Sequence, residues 1–274
     1  MDRQVDVPGG RLFAVSDGEG PPIVLIHAGI VDHRAWDGVV PPQVTAGYQV
    51  IRYDLRGFGR STTADVEFSN RADVIAVLDA HRIGQAVLVG NSRGGQIALD
   101  TAIEFPDRIA AVVGVGAGLG GFEGEPTAEE GAAFDEMDRL EGTDPIDIDA
   151  IVELDLRAWV FGLGQPADRV PGSIAEAVRT MDRPQYAAGH IDGRPIRLLP
   201  PAAERLAELR CPVLAVAGAL DMSDVAQTAV RLETHAPDAR AVLMPDVAHL
   251  IGMEVPEELA ALIVGFLAPL ERWG

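Results

Sequence analysis

The sequence predicts an α/β fold: a mostly parallel central sheet flanked by helices and interrupted by an inserted helical segment. Three observations predict it. Short Val- and Leu-rich runs, such as those over 22–28 and 86–89, read as strands buried on both faces, as in a parallel sheet. Amphipathic stretches of helical spacing lie between them. From about Leu119 to Ala203 the strand signal lapses, and it resumes at Pro212.

A chain of 274 residues suits one such domain with a large insertion. Its formal net charge is −20, from 22 basic and 42 acidic side chains, and every basic residue is Arg. That balance argues against nucleic acid and anionic membrane surfaces, which need positive patches. It reads as a solubility surface. The N-terminus has no signal-peptide pattern and no run reaches membrane-spanning length, so a soluble cytoplasmic protein is expected. The single cysteine, Cys211, excludes an intrachain disulfide and is expected to be a buried packing residue. The six His are scattered without metal-ligand spacing.

In chain order, a Pro8-Gly9-Gly10 turn precedes a strand over 11–16. The strand over 22–28 runs into His27-Ala28-Gly29-Ile30. This loop of small residues sits at a strand's C-terminal end, where ligands bind in open α/β sheets. Its backbone N–H groups are a candidate half of an oxyanion hole, and His27 is expected to support the loop. Residues 36–48 read as partly helical, broken at Pro41-Pro42. A strand over 49–54 leads into the glycine-marked loop 55–61, where Asp54 and Arg56 are expected to interact. Residues 71–81 read as an amphipathic helix with Ala72, Ile75, Ala76 and Leu78 as its apolar positions. His81 is expected at its surface or cap.

The strand over 86–89 ends in Gly90-Asn91-Ser92-Arg93-Gly94, followed by Gly95 and a helical run through Phe105. Strand, tight glycine turn with Ser, then helix is the context of a nucleophile elbow. Such a turn strains the serine backbone, leaves no room for bulk at the glycines, and sets Oγ at a helix N-terminus that favours developing negative charge. A strand over 111–116 follows. The inserted segment carries helix-like stretches over 127–140, 147–161 and 173–182. Its acidic run, with Glu129, Glu130, Asp135, Glu136, Asp138 and Glu141, reads as a solvated outer face. Its aromatics, Trp159 and Phe161 among them, read as core or pocket lining. A strand over 212–218 then places Asp221 just past its end. A helix spans 225–235, a last strand 241–244 precedes His249, and a terminal helix spans 257–267.

Ser92, Asp221 and His249 therefore occur in the order Ser…Asp…His. A serine hydroxyl is a poor nucleophile at neutral pH, so His249 is needed to take its proton. Asp221 is needed to hold the right imidazole tautomer and to stabilise the imidazolium.

Over nearly its full length the sequence resembles the α/β-hydrolase fold superfamily. The stretches IHAG at 26–29, RYDLRGFGRS at 52–61, GNSRGG at 90–95, GALD at 218–221 and AHLIGMEVPEEL at 248–259 carry the resemblance. It implies backbone N–H donors at Arg93 and Gly29, Asp221 as the acid, and no metal or organic cofactor. Residues 1–118 and 206–274 would form the hydrolase core and 119–205 a helical cap. Ala28 stands where the family most often has Gly, and Arg93 where Met, Leu or Gln is common. Epoxide hydrolases and haloalkane dehalogenases look similar but use an Asp nucleophile, against which Ser92 argues. The RYDLRG and AHL…E stretches look most like enol-lactone hydrolases and small esterases, and GNS-x-GG also resembles C–C-bond hydrolases.

The expected function is hydrolysis of a small-molecule carboxylic ester or lactone through an acyl-enzyme, with Ile30, Trp36, Trp159 and Phe161 lining the pocket. C–C hydrolysis, a lyase or perhydrolase, and a ligand receptor on the same fold are the alternatives. Association into a homo-oligomer is compatible with the sequence. A guanidinium at Arg93 requires a partner, either a protein carboxylate such as Asp32 or the acidic insertion, or a carboxylate on the substrate.

Overall fold

The charged N-terminal residues form a strand despite their polarity, because a tight turn at Pro8-Gly9 folds them back onto an apolar neighbour. Strand β1 (Asp2–Val7) pairs antiparallel with β2 (Gly10–Asp17), from Asp2↔Val15 to Val7↔Gly10. The computed structural model describes residues 1–270. The chain continues through β3 (Pro22–Ile26), α1 (Val40–Thr45), β4 (Gln49–Tyr53), the two-residue strands β5 (Thr62–Thr63) and β6 (Glu67–Phe68), and α2 (Asn70–Ala80). Next come β7 (Ala86–Asn91), α3 (Arg93–Glu104) and β8 (Ile109–Val115). Helices α4 (Ala128–Glu141), α5 (Ile148–Asp155) and α6 (Gly172–Asp182) and the short β9 (Arg194–Pro195) follow. The chain closes with β10 (Val213–Gly218), α7 (Ser223–His235), β11 (Ala239–Met244), α8 (Ile251–Glu254) and α9 (Pro256–Leu267).

The main sheet runs β1-β2-β4-β3-β7-β8-β10-β11, with β5 beside β2. The pairs formed by β2 are antiparallel and every pair from β4 to β11 is parallel. Strand β3 is the reversal point: the chain steps to β4 on one side of it and later returns to β7 on the other. Ligands in such sheets bind at that crevice, outside the strands' C-terminal ends. Strands β3, β7 and β10 are buried throughout, on both faces, as their apolar runs require. Along β3, Val24 and Ile26 enter one core with Leu78 and Leu99, while Ile23 and Leu25 enter the other with Leu259 and Ile263.

Among the described residues, those between β8 and β10 add no strand to the main sheet. Leu156, Val160 and Phe161 in the turn after α5, with Val178 and Met181 from α6, pack on Ala28, Val31 and Leu250. This seats the insertion over the loop that follows β3. No helix among the described residues is long and apolar enough to cross a membrane. Cys211 is free and buried, and burial pushes its thiol up to about 11.

Several local expectations are corrected. Pro41 and Pro42 start α1 instead of breaking a helix, because the first turn needs no N–H donors there. The buried face of α2 holds Val74, Val77 and Leu78 with Arg71 and Asp73, whereas Ala72 is exposed. The cause is a buried ion pair: Arg56 Nε and Nη2 donate to Asp73 at 2.7 and 2.8 Å. Arg56 is thus not the partner of Asp54, which accepts from the backbone N–H groups of His33 and Arg60 and contacts His33 Nδ1. Strand β9 pairs with β6 inside the stretch expected to lack strands. Glu130 is buried, not solvated. It closes a capping box with Thr127 and accepts from Ser223 N–H and Oγ, tying α4 to the start of α7.

Candidate active site

Parallel registers bring the strand ends level, with Ile26 beside Gly90 and Asn91 beside Val115. Just past β7, Ser92 takes φ 56° and ψ −117°, a conformation that L-residues avoid, and α3 begins at the next residue. The glycines make the turn feasible. A Cβ on Gly90 would stand 2.1 Å from the Gly94 carbonyl oxygen, and one on Gly94 would stand 2.2 Å from that of Ile26. Ser92 N–H donates to Val115 at 2.9 Å, and its carbonyl accepts from Gln96 and Gly118.

Asp221 follows β10 and His249 follows β11. Their side chains meet with His249 Nδ1 at 2.9 and 2.8 Å from the two Asp221 oxygens, and both are buried. One Asp221 oxygen also accepts from Met222 N–H at 2.7 Å. This fixes an imidazole whose Nδ1 carries a proton toward Asp221, leaving Nε2 as the basic nitrogen. The Ser92 hydroxyl is not hydrogen-bonded to His249 in this arrangement. Asp224, near in sequence, lies in the first turn of α7 rather than against His249.

Two residues missed in the sequence hold this loop. Asn91 Nδ2 donates to the carbonyls of Val115 and His249, so the residue before the serine also anchors the histidine backbone. Arg169 bonds the carbonyls of Val160, Phe161 and Asp246 and pairs with Glu254, whose carboxylate accepts from Ala248 N–H. A fork that satisfies five acceptors stitches the insertion to the histidine loop. Its signal is only the stretch at 248–259, which includes Glu254.

On the other side, His27 Nδ1 contacts the Ala28 carbonyl at 2.7 Å, and His27 Nε2 accepts from Leu55 N–H at 2.9 Å. Burial lowers its pKa, which keeps the ring neutral, and it braces the loop as expected. Neither Gly29 nor Arg93 donates its N–H to a protein acceptor among the described residues. Arg93 directly follows Ser92 and Gly29 lies against the Arg93 side chain, so two unused backbone donors are available near the turn. Asp32, His33 and Asp54 bring potential ligand atoms within 4.8 Å of one another. Their acceptors are already engaged by Arg34, the His33 and Arg60 N–H groups and each other, so the trio braces the loop.

A cavity of about 1220 Å³ opens beside the site, lined by Gly29, Arg93, Phe58, Tyr186, Asp192 and others. Of the predicted site residues, Gly29 and Arg93 line it. Trp36 does not: it is core, packed against Val39 and Gly252. Ile30 and Phe161 pack where the insertion meets the loop after β3, not on this cavity. Trp159, in a π-helical turn after α5, places its ring 4.8 Å from that of His249 and 6.4 Å from Phe134.

The family profile described as alpha/beta hydrolase fold matches residues 21–256. Rhodomycin D methylesterase DnrP of Streptomyces peucetius is 30% identical over 281 residues, covering 91% of each chain. Epoxide hydrolase B of Mycobacterium tuberculosis is 33% identical over 187 residues, 60% of this chain, and the match spans about half (52%) of that relative's length. Among solved structures, Est816, described as an N-acyl homoserine lactone degrading enzyme, superposes with a TM-score of 0.71 at 27% identity, covering 96% of this chain and 100% of that one.

Proposed function

The chain belongs to the α/β-hydrolase family, and from that membership and the geometry of its site we propose that it is a serine hydrolase of carboxylic esters or lactones. The observation that carries the reading is the bond from His249 Nδ1 to Asp221, in a chain whose Ser92 is held at positive φ. In this reading Ser92 Oγ attacks the substrate carbonyl as its proton passes to His249 Nε2. The N–H groups of Gly29 and Arg93 take up the oxyanion. Collapse expels the alcohol, which leaves with the proton from Nε2. Water, deprotonated by the same nitrogen, then attacks the acyl-serine and releases the acid. In a lactone the alcohol and acid stay on one molecule. Residues 119–205 act as a cap whose Trp159 roofs His249.

The names of the methylesterase and of Est816 agree with ester and lactone chemistry. Serine at the nucleophile position separates this chain from the epoxide hydrolases, which in this superfamily attack with Asp. The test is covalent labelling by a fluorophosphonate together with turnover of a chromogenic acyl ester. Wild type should show both, and Ser92→Ala should lose both while keeping its fold. Labelling that persists at another serine overturns the assignment, and turnover confined to vinylogous diketones would move the chain to C–C hydrolysis.

A further inference from the structure

Arg93 carries a side chain that the reaction above does not use. Its guanidinium lies against Gly29, where a Cβ would stand 3.4 Å from Cζ, Nε and Nη2. It also faces the Phe58 ring at 5.4 Å, and Phe58 in turn packs edge-on against His27. The charge is therefore held next to the Gly29 loop, one residue after Ser92, and it opens on the cavity.

Neither protein partner expected for it, Asp32 or a carboxylate of the insertion, forms an ion pair with it. Asp32 is engaged by Arg34, whose Nη2 donates to it at 2.6 Å. In the acidic helix α4 the buried Glu130 is spent on Thr127 and Ser223, and Glu141, Glu123 and Asp100 line the cavity without pairing with Arg93. Asp192 and Tyr186 lie close enough to attract the charge, yet neither makes an ion pair or hydrogen bond with it, and Asp192 contacts His190 instead. The other arginines on this cavity differ. Arg56 and Arg71 are neutralised by Asp73 and Glu104, and Arg197, exposed like Arg93, belongs to the insertion, whereas Arg93 directly follows Ser92. Arg93 is solvent-exposed where it faces the cavity, while the protein packed around it lowers its pKa through desolvation. A guanidinium so placed makes no ion pair or hydrogen bond among the described residues, and it offers the cavity a planar fork suited to a carboxylate.

We infer that Arg93 is a carboxylate-binding group, and that the substrate is an ester or lactone carrying a second, free carboxylate held by this guanidinium while its carbonyl lies at Ser92. The inference rests on the serine-hydrolase reading for the position of the carbonyl, but the anion site itself stands on the unpaired cation and its cavity.

The test compares two chromogenic esters of equal acyl length, 4-nitrophenyl hydrogen glutarate and 4-nitrophenyl valerate, on wild type, Arg93→Met and Arg93→Lys. Each substitution keeps the backbone N–H. The ratio of kcat/KM, glutarate over valerate, should fall about 10- to 100-fold in Arg93→Met and recover in part in Arg93→Lys. An unchanged ratio overturns the inference. So does an equal loss on both esters, which would assign the guanidinium to the oxyanion instead. Fluorophosphonate labelling and binding of free glutarate, followed by thermal shift, separate the two readings. If wild type is neither labelled nor active, the hydrolase reading fails. Glutarate binding that requires Arg93 would then still support the anion site, and binding that is absent or indifferent to Arg93 would overturn it.

Discussion

The acid partner of His249 is decided by a few ångströms. Asp221 sits immediately after the turn that ends β10, and both its oxygens reach Nδ1. Asp224, one helical turn on, feels Asp221 as a like charge and is partly buried; burial first and that repulsion second raise its pKa. An amide at position 221 would present the wrong hydrogen-bonding pattern to the imidazole and reverse its tautomer. Asp221→Asn is therefore expected to lower kcat by about 10⁴-fold, and Asp224→Asn by less than about tenfold. Steady-state kinetics on any turned-over ester checks this, and a larger loss at position 224 would exchange their roles. Arg93 illustrates the same scale: a side chain that the sequence marks as unusual gains meaning once Asp32 is seen to be spent on Arg34.

Within the insertion, α5 and α6 bring two buried acids, Asp155 and Asp182, near one another. Burial, then the charge of Asp155, drives the Asp182 carboxyl far above the usual carboxylate range, and Asp155 is raised by burial as well. Asp155 accepts from Tyr186 Oη at 2.9 Å and also faces Trp159. No group among the described residues donates to the Asp182 oxygens, and a proton held between the two carboxyls is the expected means of satisfying them. A carboxyl whose pKa is raised by folding stabilises the fold fully below its unfolded value of about 4 and loses that contribution as pH rises toward the folded value. Asp182→Asn removes the loss. Its melting temperature relative to wild type should therefore climb between pH 5 and pH 8, as thermal unfolding at the two pH values will show. A constant offset would mean that the pair carries no shared proton. Such pairings were not legible in the sequence. Runs like Val87-Leu88-Val89 announce buried strands because apolarity is a local property, and the elbow follows from glycines at fixed spacing. By contrast, β1 is charged and lies at a sheet edge, where exposed side chains leave no apolar pattern. The partners of Arg56, Glu130 and Trp36 depend on elements distant in sequence, so no local pattern reveals them.

On the proposed reading, the chemistry of the whole molecule sits where the sheet reverses direction. Ile26 pairs with Gly90, and Asn91 with Val115, while the His249 loop is anchored through Asn91 from far along the chain. None of these contacts is local. Helices such as α3 form from near neighbours, whereas parallel pairings must first close long loops and are intrinsically slow. The reactive serine should thus be a late product of refolding. After dilution from denaturant, fluorophosphonate labelling of Ser92 is expected to lag behind recovery of the far-ultraviolet circular dichroism signal. Simultaneous recovery would mean that the elbow acquires its reactivity locally, before β3 and β7 meet. If the lag is observed, a nascent chain can carry its helices without yet carrying a reactive nucleophile, so incomplete forms stay chemically silent until their sheet has closed.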